Sequence, residues 1–226
     1  DNDNLIGESP SSQVHKGTLT ATNEMVAVKI FKRGLTSDGF PEDDMRASIA
    51  AGTHQGLIKI LGKLSEHPEG RSGIVLSLVP SDYKKLGHPP DFETCTRDTY
   101  LPGTSFTLPY VLNTLRDISS ACEHLHARGI SHGDIYAHNI LSNREGRSLL
   151  GDFGAASFYD SSKGRERELL DVRAFGCLTE DLLDRPDTGA DREVLAKLRA
   201  LQQACKAPTP TNRPSFREIK EVLSKT

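Results

Sequence analysis

Chemistry in this sequence gathers in two short runs. HGDIYAHNIL extends from His132 to Leu141, and GDFGAA follows ten residues later. Between them they set Asp134, Asn139 and Asp152 beside apolar residues that ought to be buried. A carboxylate held near a core is costly unless a cation or a strong donor answers it. A bound metal ion would answer both carboxylates. An isolated Asp or Asn in a loop is usually a turn or capping residue, so a shared role requires elements that bring the three together.

Such elements are legible. YVLNTLRDISSACEHLHARG puts Val111, Leu112, Leu115, Ile118, Cys122, Leu125 and His126 on one helical stripe and ends at Gly129. His132 to Asn139 is then a loop leading into a short strand, NIL, and SLLGDFG is the strand that follows a turn at NREG. A hairpin of that kind brings Asp134, Asn139 and Asp152 to the lip of a helical region, where three oxygen ligands or acceptors converge.

The rest of the chain has two textures. Residues 5 to 79 hold short β-type runs, VHKGTL after a Ser-rich turn and then MVAVKIF, LIKILGKL and GIVLSLV, with a helix predicted from Pro41 to Ala51. From Pro109 onward the periods are helical, and later helices are predicted in LLDVRAFGCLTEDLLD, REVLAKLRALQQAC and SFREIKEVLSKT. Between the halves, Ser81 to Thr107 is polar and without periodicity. A connection that long is usually functional or disordered, and this one is expected to carry substrate or partner contacts.

Composition narrows the function classes. With 226 residues, 36% hydrophobic and 26% charged, the chain suffices for one domain of two lobes or two small domains, each with a core. Net charge is −3, so no basic surface advertises nucleic acid or an anionic membrane. No stretch approaches a spanning helix, and DNDNLIGE lacks the basic and apolar regions of a leader. Cys95, Cys122, Cys177 and Cys205 are far apart and form no CxxC pair. They are expected to be reduced, in a cytoplasmic protein.

The two runs resemble motifs of the protein kinase family. His132, Asp134 and Asn139 match its catalytic loop, H-R-D-L-x-x-x-N, and Asp152, Phe153 and Gly154 match the metal-binding D-F-G. VAVK is similar to the third-strand V-A-I-K, with Lys29 as the lysine. LLDVRAFGCLTEDLL looks like the central helix of the large lobe, whose aspartate, here Asp171, holds the catalytic loop by its backbone amides. NRPSF resembles the last common element, with Arg213 at its arginine. Each motif alone is weak, and their shared order over almost the whole chain is specific.

The resemblance implies an α+β, bilobal protein-kinase-like fold forming one domain over 1–226. A small lobe, 1–79, would carry an antiparallel sheet with one helix. A mainly helical lobe, 80–226, would include the hinge and the connection 81–107. The resemblance further implies ATP and Mg²⁺ as cofactors, with Mn²⁺ as the alternative ion. Lys29 would clamp the α/β-phosphates, Asn139 and Asp152 would hold the metal, and Asp134 would orient or deprotonate the acceptor hydroxyl. Leu76 stands at the gatekeeper position, with the backbone of Ser77 and Val79 offered to adenine and Ala27 and Leu141 on either side of the ring. Packing alone would also explain those apolar types.

Departures from the family pattern are informative. The phosphate-covering G-x-G-x-x-G-x-V is GESPSSQV here, with Gly7 and Val14 kept and Ser9 and Ser12 in place of glycines. Serines restrict backbone approach but can donate hydrogen bonds, so weaker ATP binding is expected, or a turn with no ligand. Counting back from His54 puts Met45 where the family has the glutamate that pairs with the strand lysine, and Asp44 or Glu42 could serve if the helix is shifted. Gly133 replaces the arginine that an activation-loop phosphate neutralises in many kinases. Asp152 to Asp171 leaves no room for a long activation segment or an A-P-E, so Arg213 lacks its usual partner, for which Glu166 and Glu168 are candidates. Tyr136 stands where serine/threonine kinases carry lysine and tyrosine kinases alanine, in a packing role or touching the γ-phosphate.

Three functions follow. The first is a minimal protein kinase moving the ATP γ-phosphate to a protein hydroxyl, without a loop-phosphorylation switch. The second is a pseudokinase, a nucleotide-binding or interaction module. The third is a small-molecule kinase, since HGD with a downstream asparagine also resembles aminoglycoside and choline kinases. HGDIYAHN is similar as well to minimal bacterial-type kinase domains and to those attached to leucine-rich repeats, and the start at Asp1 fits a piece of a longer multidomain chain.

Overall fold

The computed structural model describes residues 4–9, 11–34, 40–163, 165–187 and 189–226. In strand β3, Met25–Phe31, β-branched residues suit the pleated surface, and alternation puts Ala27, Lys29 and Phe31 on one buried face. β3 is the middle of a five-stranded antiparallel sheet with β1 (Leu5–Glu8), β2 (Ser12–Thr18), β4 (Ile60–Lys63) and β5 (Gly73–Ser77), in the order β1-β2-β3-β5-β4. The register sets Val14 opposite Lys29 and Ala27 opposite Leu76. Two boundaries differ from the expected runs. LIGE forms β1 although its leucine and isoleucine are exposed, because it pairs with β2. β4 uses only part of LIKILGKL, because Leu57 instead bridges to Leu150 of the helical lobe.

Helix α1, Pro41–Ala51, matches its predicted bounds. Proline in its first turn and Glu42, Asp43 and Asp44 at the positive end of its dipole favour a start there. Pro41, Asp44, Ala47, Ser48 and Ala51 form its buried face.

The second lobe is built on α2 (Leu108–His126), α3 (Glu166–Leu183), α4 (Arg192–Cys205) and α5 (Phe216–Ser224). The Thr107 hydroxyl caps α2 by accepting Tyr110 N–H, and Ser215 and Glu218 form a reciprocal capping box at α5. Leu115, Ile118 and Leu125 on the α2 stripe are fully buried, each contributing about 1.5–3 kcal/mol relative to exposure. Thr114, Asp117 and Ser119 are buried beside them; Asp117 accepts Ser148 N–H at 2.9 Å.

Short strands hold the loops over these helices. β7 (Ile130–Ser131) pairs with β10 (Ser157–Phe158), and β6 (Lys84–Lys85), β8 (Ile140–Ser142) and β9 (Ser148–Leu150) form a sheet in the order β6-β8-β9. The hairpin read at NIL and SLL is thus β8–β9. The connection 81–107 has no regular element beyond β6 and is pinned by bridges His88–Thr99 and Phe106–Pro186. Among the described residues no helix is long and apolar enough to cross a membrane.

Candidate active site

Lys29 reaches from the sheet to both neighbours of the cleft. Its Nζ lies 2.7 Å from Asp44 Oδ2 on α1 and 3.4 Å from Asp152 Oδ1 across the lobes. Ser48 Oγ donates to the other Asp44 oxygen at 3.1 Å. The lysine partner is therefore Asp44, and not the residue at Met45. Register by counting failed by one position, because the buried face of α1 decides which side chain turns inward. Burial pulls the Lys29 ammonium down, but the Asp152 and Asp44 carboxylates outweigh it and hold the amine above its ordinary value.

The catalytic loop hangs from α3. Asp171, buried, accepts His132 N–H and Gly133 N–H at 2.9 Å each, Ser131 Oγ–H at 3.0 Å and His126 Nε2–H at 2.9 Å. Burial alone would raise its carboxyl, but the His126 hydrogen bond and charge, with His132 and the Gly133 amide, hold it below the ordinary value. His132 is wholly buried, its ring lies tilted against Phe153 with centroids 5.1 Å apart, and it donates Nε2–H to Gly151 O at 3.0 Å and accepts Asp134 N–H at Nδ1. Gly133 has φ +77°, and a Cβ there would sit 2.5 Å from Ala155 O. The family's arginine is therefore sterically barred at this position.

Beneath Lys29, Asn139 donates Nδ2–H to Asp134 Oδ2 at 2.7 Å and to Asp134 O at 3.1 Å, which leaves Oδ1 as its remaining acceptor. Burial raises Asp134 above the ordinary carboxylate value, only partly offset by Asn139 and His138. Asp152 is also raised by burial, but Lys29 and the Gly154 amide more than reverse this and leave it below the ordinary value. Similar carboxylates are thus pushed in opposite directions by their surroundings, Asp134 toward the protonated form and Asp152 toward the ionised one. Asp152 has φ +55°, a left-handed conformation tolerated by Asp and held here by Lys29 and Gly154.

Lys29, Asn139 and Asp152 open onto one interlobe cavity of about 790 Å³. Gly7, Ser9, Ser12 and Val14 line its roof with Ala27 and Lys29, Leu76, Ser77 and Val79 its hinge edge, and Leu141, Asn139 and Asp152 its floor. Asp134 is bonded to Asn139 at the edge of that floor. The Ser77 amide is committed to Lys59 O at 2.9 Å. In the Ser-rich turn, Ser9 Oγ contacts Ser12 Oγ at 3.0 Å and Ser11 Oγ at 3.2 Å; Pro10 lies outside the described residues. Sequence reasoning missed Ile58, Tyr83, Lys84, Lys85 and His138 as lining residues. His138 was adjacent to a motif residue and could have been found, whereas the others carry no chemical signature.

Tyr136 packs, its ring 5.7 Å from that of His138. Among the described residues Arg213 has no glutamate partner: it donates to Leu169 O at 2.8 Å and Ala207 O at 3.0 Å, while Glu168 binds Arg165 and Tyr159 at 2.9 Å each. With no A-P-E, backbone carbonyls take the guanidinium.

A bilobal α+β fold with lysine, catalytic loop and DFG at one cleft defines a protein kinase domain, the phosphotransferase class. A family model described as protein kinase domain matches residues 1–173, and the chain belongs to that family. It is similar to cyclin-dependent kinase 11.2 of Caenorhabditis elegans, 27% identical over 169 residues covering 74% of this chain and 24% of that protein. CTD kinase subunit alpha of Schizosaccharomyces pombe is 24% identical over 238 residues, 95% of this chain and 38% of that protein. Cyclin-dependent kinase C-2 of Oryza sativa subsp. japonica is 24% identical over 240 residues, covering 90% and 45%. The chain spans less than half the length of these curated relatives.

Proposed function

We propose that this domain transfers the γ-phosphate of ATP to a protein hydroxyl, with a divalent ion, Mg²⁺ or Mn²⁺, in the cleft. The observation that carries the reading is Lys29, ion-paired to Asp44 and leaning on Asp152 across the cleft from the Asp134–Asn139 pair. The cavity has the size of a cofactor site, and the Asp152 carboxylate with Asn139 Oδ1 is the hard-oxygen donor set such an ion takes. When bound, the ion would neutralise charge on the phosphate tail.

The chain's own residues account for the remainder. Ala27 and Leu141 face the base, and the hinge backbone at Ser77 and Val79 reads its edge. Gly7, Ser9, Ser12 and Val14 cover the phosphates, and Lys29, fixed by Asp44, orients them. Asp134, with its carboxyl raised by burial, aligns the acceptor hydroxyl and takes its proton.

The domain is not switched by loop phosphorylation. Among the described residues only a strand pairing and one short turn separate Gly154 from α3, and Gly133 excludes the basic latch. The resulting protein-substrate platform is reduced. The free cysteines fit a reducing, cytoplasmic setting. The mutual contacts of the Ser9, Ser11 and Ser12 hydroxyls favour a second reading, a pseudokinase that binds nucleotide without turnover.

Incubation with γ-labelled ATP, Mg²⁺ or Mn²⁺, and casein separates the two. Label should pass to casein or to the chain itself, and Asp134→Ala and Asp152→Ala should abolish it. Equal signal from wild type and both variants, or none from any, would overturn the transfer reading.

A further inference from the structure

Asp171 holds the start of the catalytic loop directly, at the His132 and Gly133 amides. The end of the loop is held by a different route, through the connection that carried no sequence signal. Asp98 is 4% exposed. Its carboxylate accepts the His138 backbone N–H at 3.0 Å and the His138 Nδ1–H at 2.8 Å. The preceding residue, Arg97, forms ion pairs with Glu180 and Asp181 on α3 and donates to Cys177 O at 3.4 Å. On its far side His138 turns Nε2 toward Asp134 Oδ2, 3.9 Å away, and its ring lies against Tyr136.

A surface connection gains nothing from burying a carboxylate, which loses its hydration on leaving water. Here both oxygens are committed to one residue of the catalytic loop, and that residue faces Asp134 and immediately precedes Asn139 in the chain. We propose that Asp98 is a positioning residue for phosphoryl transfer, fixing the downstream half of the catalytic loop through His138 so that Asp134 and Asn139 keep their mutual geometry. α3 then holds the loop at both ends, by Asp171 at the start and by Arg97–Asp98 at the finish. The inference rests on the transferase reading given above.

Steady-state transfer from labelled ATP to casein tests it on the full chain, at a temperature where circular dichroism finds every variant folded. Asp98→Asn sets an amide N–H against a His138 donor. It should lower kcat at least about tenfold, because a small misplacement of reacting groups costs that much, while KM for ATP moves less than about twofold. Asp98→Glu should recover part of the loss. If Asp98→Asn does not fold, His138→Ala carries the same test, with His138→Asn, whose amide can reach Asp98 from the Nδ1 position, as the rescue. Unchanged kcat in active Asp98→Asn or His138→Ala, or a loss appearing only in KM, overturns the positioning role and leaves the transferase reading standing. No transfer by the wild type overturns both.

Discussion

Asp171 concentrates several effects in one side chain, and its protonation couples the catalytic loop to stability. The folded protein holds its carboxyl below the ordinary value, with burial opposed by His126, His132 and the Gly133 amide. As pH falls, the unfolded chain therefore takes up the proton first. The stabilisation is fully present above about pH 4 and is lost as pH drops through the lower folded value. Urea unfolding from about pH 5 to about pH 3 should show a steeper loss of stability in wild type than in Asp171→Asn, which has no proton to bind; equal slopes would deny Asp171 that role. Lys29, Asp134, Asn139 and Asp152 could be singled out from the sequence because each has a distinct chemical type at a fixed spacing. Asp44 stayed open beside Glu42, since the three acids Glu42, Asp43 and Asp44 of one helical turn differ only in which one faces Lys29. Asp98 left no trace, as an aspartate in an aperiodic stretch looks like any turn residue.

At the scale of elements, periodicity decided most of what was found. α1 and α2 to α5 were visible because residues at helical spacing mark where each helix lies. The Ser215–Glu218 capping box shows how local such information is, since both partners lie within one turn of α5. Ser215→Ala should cost about 1 kcal/mol and lower the melting temperature by about 2–4 °C, while leaving ATP-dependent transfer unchanged below the transition; a melting temperature equal to wild type would mean that the cap contributes nothing. β1 was overlooked because its four residues have an exposed pattern, and only pairing with β2 makes them a strand. β4 was read too long because Leu57 takes part in a bridge to the other lobe, a tertiary contact that alternation cannot anticipate.

For the whole molecule, the division into a sheet lobe and a helical lobe followed from the change of period. The way the lobes are tied did not. Lys29 joins the small-lobe helix at Asp44 to the large lobe at Asp152, so the sheet, α1 and the DFG turn share one buried cation. Leu57 and Leu150 add a backbone link behind it. The cleft is therefore assembled from both lobes, and its chemistry depends on their holding this spacing when a nucleotide enters. A crystal structure with a non-hydrolysable ATP analogue and Mg²⁺ tests that dependence most directly. The account predicts the base between Ala27 and Leu141, the phosphates beneath Lys29 and the ion on Asp152 and Asn139. A nucleotide bound outside this cleft, or an ion held away from both oxygens, would contradict it.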